Sequence, residues 1–191
     1  PAPAAAAVRA AFVAPVARIN AAITALETER FGACVANNRA ITRVSGGESR
    51  YPLATERQLR DGGVRLYRYV YRVTGCGRAE RRHNVEVLDH AGLEPLLVPL
   101  PMGTTALTGS VLDGIHTSIF TPMMRARHAQ CAPRDLKILE ANLTSGTPYT
   151  AGAAWTETWR YDACGAGGTA VITFAYDGNG LRTSANVTPA T

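Results

Sequence analysis

Two stretches of the chain alternate strictly between faces. Tyr67, Tyr69, Tyr71 and Val73 fall on one side of an extended segment, with Arg68, Val70 and Arg72 on the other. Farther on, Trp155, Glu157, Trp159 and Tyr161 share one side, against Thr156, Thr158 and Arg160. A period of two with one apolar face predicts a half-buried antiparallel strand. Upstream of each strand the apolar spacing changes to steps of three and four. Val16, Ile19, Ile23 and Leu26 line one predicted helix, and Leu112, Ile115, Ile119 and Met123 another. Pro15 is placed near the start of the first helix, where a missing N–H does no harm. Pro122 interrupts the second and predicts a kink or a fresh helix start.

The two halves echo each other. Sliding the chain so that Cys76 meets Cys164 also brings Gly77 onto Gly165, Arg72 onto Arg160, Tyr67 onto Trp155 and Tyr71 onto Trp159. "DHAGL" (89–93) then meets "DGNGL" (177–181), both turn signals before a last strand. One step is out of phase. Val85 and Val87 in the first half do not align with Ile172, Phe174 and Tyr176 in the second, which predicts a bulge or a turn of different length. The expected fold is α+β: two tandem copies of a helix plus a three- to four-stranded antiparallel meander, related by a pseudo-twofold axis. The boundaries fall at 1–98 and 99–191, with "PAPAAAAVRA" (1–10) read as a low-complexity tether.

Composition allows a core. Of 191 residues 46% are hydrophobic and 18% charged, outside the disordered range. No apolar run is long enough to span a membrane as a helix. The net charge of +5 comes almost wholly from arginine, Lys137 being the single lysine, so it carries little argument for nucleic acid. A basic surface suits an anionic protein or envelope polymer instead. Aromatic residues on the face opposite the arginines are not placed to stack bases, which argues further against nucleic acid.

Four cysteines allow three pairings. The duplication favours Cys34–Cys76 and Cys131–Cys164, the same staple in each copy; the two pairings that cross between copies also respect a twofold relation. Zinc is the rival, with His128 three before Cys131, but the cysteines lack the close pairs that zinc sites use. Disulfides point to an oxidising compartment, hence a periplasmic or secreted protein.

Catalytic motifs are missing from the sequence: no nucleophile elbow, no phosphate loop and no H-E-x-x-H. No catalytic residue, metal ligand or cofactor is therefore assigned. The four histidines find no counterparts between copies, and His116 and His128 are too far round a helix to converge. Trp155, Glu157, Trp159 and Tyr161 form the candidate ligand site, aromatic walls around one acid. The plainer account of Glu157 is an edge-strand acid paired with an arginine. Arg68, Arg72, Arg81, Arg82 and Arg160 form a candidate basic patch. The expected function is an exported, non-enzymatic binding, inhibitor or envelope-assembly protein. The alternative is a hydrolase on an envelope polymer, with Glu157, Asp162, Glu86 and Asp89 as available acids near the repeat interface.

Overall fold

A computed structural model describes residues 2–34, 38–46, 61–90, 92–178 and 180–189. The fold is α+β, with few helices and two sheets that are antiparallel apart from one two-residue strand. The chain divides into two compact units, the first holding the described residues of 1–48 and 63–100, the second those of 61–62 and 101–189.

In the first unit, helix α1 spans Ala2–Phe31 and is followed by strands β1 (Asn38–Gly46), β2 (Val64–Gly75), β3 (Arg78–His90) and β4 (Leu96–Pro99). They pair in chain order as an antiparallel meander. The segment read as a tether is thus helical from Ala2, and Pro15 stands inside the helix rather than near its start. The core consists of Ile19 and Ile23 from α1 with Tyr69, Tyr71, Val73, Val85 and Val87 from β2 and β3. Fully burying each isoleucine stabilises the unit by roughly 1.5–3 kcal/mol. Continuing the helical step from Ile23 leads to Glu27, not Leu26: Glu27 is buried and Leu26 only half-buried. The expectation that β2 keeps one face in solvent is corrected in part: Arg68 and Val70 are buried, and Arg72 on the same face is exposed.

The second unit opens with β5 (Met102–Gly103), then α2 (Gly109–Ile115), a π-helical turn (His116–Phe120) and α3 (Thr121–Arg127). Strands β6 (Leu136–Gly146), β7 (Ala154–Ala163), β8 (Ala166–Tyr176) and β9 (Leu181–Pro189) follow. The sheet runs β5-β6-β7-β8-β9, with β5 parallel to β6 and the rest antiparallel. The buried helical residues are Leu112, Ile115, Phe120 and Met124, so the predicted pair Ile119 and Met123 is displaced by one. The π turn is the reason. It takes up an extra residue, which moves the inward face by one position for everything after it. Pro122 lies in the first turn of α3, directly after the π turn, in backbone that stays helical through Phe120 and Thr121.

The phase mismatch between halves has a specific origin. The β2–β3 ladder shifts register between Val73 and Gly75, whereas the β7–β8 ladder runs unbroken from Ala154 opposite Ala175 to Ala163 opposite Ala166. A bulge near the turn of the first unit absorbs the odd residue and keeps Val85 and Val87 facing the core.

Close packing in the second sheet is sharpest at Gly168, opposite Tyr161. A β-carbon at Gly168 would lie 2.3 Å from the Tyr161 hydroxyl oxygen and 2.4 Å from its Cζ. The ring is fully buried and has little room to yield. Gly168→Ala is therefore expected to lower stability by about 2 kcal/mol, read as a drop in the urea midpoint; an unchanged midpoint would mean that the ring has a second resting place.

Candidate functional site

Sequence reasoning placed a ligand site on β7. Trp155, Glu157, Trp159 and Tyr161 do share one face, and all four are at most 1% exposed. Phe120 packs against Trp159 and Tyr161, with ring centroids 6.0 and 5.6 Å apart, and Phe174 stacks on Trp155 at 5.1 Å. β7 is the middle strand of five, so the edge-strand account of Glu157 is corrected as well. Its carboxylate meets donors only. Thr105 Oγ1 donates to Oε2 at 2.8 Å, the Ala106 N–H to Oε1 at 2.8 Å, and the Trp159 indole N–H to Oε2 at 3.0 Å. Leu107 N–H in turn donates to Thr105 Oγ1, leaving that hydroxyl's own proton for the carboxylate. Glu157 thus anchors the 105–107 segment to the sheet, and the quartet is a core rather than a wall open to a ligand.

The first-unit arginines of the candidate basic patch do not share one exposed face. Arg68 is buried and donates to Glu86 at 2.6 Å across the β2–β3 pair; Arg81 is buried and paired with Glu27. Burial of a guanidinium requires such a partner, and the pairing consumes the charge. Arg72 and Arg82 are exposed and stand opposite each other, with Arg72 3.8 Å from Glu80. Arg160 belongs to the second unit, where Glu140 accepts from it at 3.2 Å.

The titratable cluster that sequence reasoning missed lies between α1 and β3. Glu27 faces inward from the helix. Arg81 Nε donates to both of its oxygens, at 2.8 and 2.9 Å, and His83 Nε2 lies 2.6 Å from Oε1. All three side chains are at most 8% exposed. Phe31, at the end of the helix, carries the Arg78 and Arg81 guanidinium groups 5.2 and 5.3 Å from its ring centre, and Arg78 also donates to the Phe31 carbonyl. Burial works to raise the Glu27 carboxyl, but the hydrogen bonds from Arg81 and His83 prevail and hold it below its ordinary value. Burial pushes the His83 imidazole down, Arg30 and Arg81 add to that, and Glu27 opposes without reversing it. His83 is thus neutral at pH 7, with its Nε2 proton given to Glu27. A signal was present: Arg81 and His83 alternate in phase with Val85 and Val87, and Glu27 follows Ile23 by one helical step.

His116 and His128 each meet an aromatic ring of the second unit's core. His116 lies 5.6 Å from the Phe120 ring centre and donates its Nε2 proton to the Leu136 carbonyl at 3.2 Å, while His128 meets the edge of Tyr161 at 6.1 Å. Phe120 and Tyr161 stand between them. Among the described residues, no group of His, Cys, Asp and Glu is arranged to hold a metal ion.

The cysteines are joined as Cys34–Cys76 and Cys131–Cys164, with Cα separations of 6.3 and 5.7 Å. In each unit the bridge reaches the tip of a two-residue hairpin. Cys76 and Gly77 have φ of 62° and 64°, and Cys164 and Gly165 have 54° and 86°. Two successive positive φ angles mark the tight hairpin turn whose twist matches the strands, a turn that favours Asn-Gly. Cysteine in the left-handed region is strained by its β-carbon, and here the sulfur bond holds it there.

These features define a class: a disulfide-stapled α+β protein whose units each set helix against antiparallel sheet. The two bridges are consistent with an exported protein, and no helix among the described residues is long and apolar enough to cross a membrane. No protein-family model, no curated protein and no solved structure matches the chain.

Proposed function

We propose that the chain is an exported binding module, of the inhibitor or envelope-assembly kind, and acts without covalent chemistry. The observation that carries this reading is the tethering of both hairpin tips, each held to the segment after a helix by its own disulfide. Rigid turns give a binding surface its affinity by removing the entropy lost on ordering. The hydrolase alternative draws on Glu157, Asp162, Glu86 and Asp89; Glu157 and Glu86 are already committed to buried hydrogen bonds, and Asp162 accepts from the Gly165 N–H.

The module is proposed to descend from one duplicated ancestor, with copies over 1–98 and 99–191 packed about a pseudo-twofold axis. Supporting this, each unit runs helix, cysteine, strand, strand, Cys-Gly turn, strand, strand. The first strand after the cysteine also carries a register break at a matching place, at Thr42 in one unit and Leu139 in the other, equally far beyond Cys34 and Cys131.

The test uses the oxidised full chain immobilised against an envelope extract, with reduced and alkylated chain as the control. A stoichiometric protein or polymer retained by the oxidised form alone is expected. Turnover of envelope polysaccharide or peptide by the purified chain, with nothing retained, would overturn the reading in favour of a hydrolase.

A further inference from the structure

We propose that the Glu27–Arg81–His83 cluster is an acid-operated latch, which holds α1 on its sheet at neutral pH and lets the helix lift when His83 gains a proton. The inference stands on the first unit alone and does not depend on the binding reading.

The geometry is that of a closed charge balance. Glu27 supplies one negative charge and Arg81 one positive charge, in direct contact through two hydrogen bonds. Neutral His83 completes the shell by donating its Nε2 proton to the same carboxylate. The groups facing His83 are Glu27 and Arg30 from α1, Arg81 from its own strand, and Tyr71 directly opposite on β2. Tyr71 is itself buried, and its hydroxyl stays protonated up to about pH 12. It can offer no negative charge to a histidinium. A second proton on His83 would therefore place an extra positive charge in a buried site beside two arginines, with one carboxylate already engaged. Opening the site to water relieves that charge.

The consequence is directional. The folded value of His83 lies below its ordinary 6.5, so the stability it contributes is complete above about pH 6.5 and is lost as pH falls toward the folded value. Glu27 has the same sign at lower pH: its contribution is complete above about 4.5 and is lost as the carboxylate protonates below that. The latch accordingly opens first through the histidine. α1 is not then free. Arg78 holds the Phe31 carbonyl, and Cys34–Cys76 joins the residues just past the helix to the β2–β3 turn. The helix would swing on that tether and uncover Tyr69, Tyr71, Val85 and Val87, the apolar face it covers at neutral pH.

Hydrogen exchange of the intact oxidised chain at pH 7.5 and 5.0, corrected for the intrinsic pH dependence, tests the latch. Backbone protection in 16–31 and 81–87 is expected to fall at pH 5.0, while β7 and β8 of the second unit keep theirs. His83→Gln, which keeps a neutral N–H donor toward Glu27, is expected to abolish that difference. Equal protection at both pH values, or an undiminished difference in His83→Gln, would overturn the proposal. Should that variant fail to fold, an NMR titration of the wild-type imidazole decides. A His83 that titrates near 6.5 with no accompanying change in α1 resonances contradicts the latch; one that titrates lower, in step with α1, supports it.

Discussion

Replacing Cys131 and Cys164 together by alanine is expected to destabilise the second unit by about 4 kcal/mol in the chain-entropy account of a bridge closing a loop of this size. The bridge spans a sequence separation of 33 and ends on a hairpin tip. Its loss frees the unfolded chain and also leaves alanine at position 164 in a left-handed conformation that its β-carbon resists. The second effect is separable. In Cys131→Ala/Cys164→Asn the turn becomes Asn-Gly, the pair that this hairpin geometry favours, and about 1 kcal/mol of the loss should return. Urea denaturation followed by tryptophan fluorescence reads the second unit directly, because Trp155 and Trp159 both lie there. Equal midpoints for the alanine and asparagine versions would mean that the turn relaxes once the sulfur is gone.

The second large effect is expected at Glu157. Truncation to alanine strands the Thr105 hydroxyl, the Ala106 N–H and the Trp159 indole N–H in a dry interior. Buried donors left without acceptors are destabilising by about 1–3 kcal/mol each, with imperfect additivity. A loss of roughly 3–5 kcal/mol is expected, a large share of a typical domain's stability. Glu157→Gln keeps the volume but turns one acceptor into a donor facing a donor, so an intermediate loss of about 2 kcal/mol should follow. An alanine variant within 1 kcal/mol of the parent would show that segment 105–107 is held by other contacts.

The difference between what was legible and what was not follows from the physics of each signal. Strand alternation around Tyr69 and Trp159 is a local property and places the correct side chains in the core. The helix pattern over 112–123 is local too, but a π turn adds a residue without any marker in composition, and Phe120 and Met124 replace Ile119 and Met123 on the inner face. The arginines misled because charge alone does not reveal a partner. Arg81 is buried by Glu27, and Arg68 by Glu86, residues that become neighbours only when strands pair or a helix docks. Glu157 was singled out correctly as an acid on an aromatic face; its partners come from a distant segment with no hydrogen-bonding signature in the sequence. The cysteine positions suggested a staple, while the left-handed backbone at Cys76 and Cys164 is visible only in three dimensions.

The account turns on each unit being closed by its own sulfur bridge at a hairpin tip. Peptide mapping of the folded, unreduced chain by mass spectrometry tests this most directly. Linked peptides containing Cys34 with Cys76 and Cys131 with Cys164 are the predicted result. A bridge from Cys34 or Cys76 to Cys131 or Cys164, or thiols that alkylate in the folded protein, would contradict it.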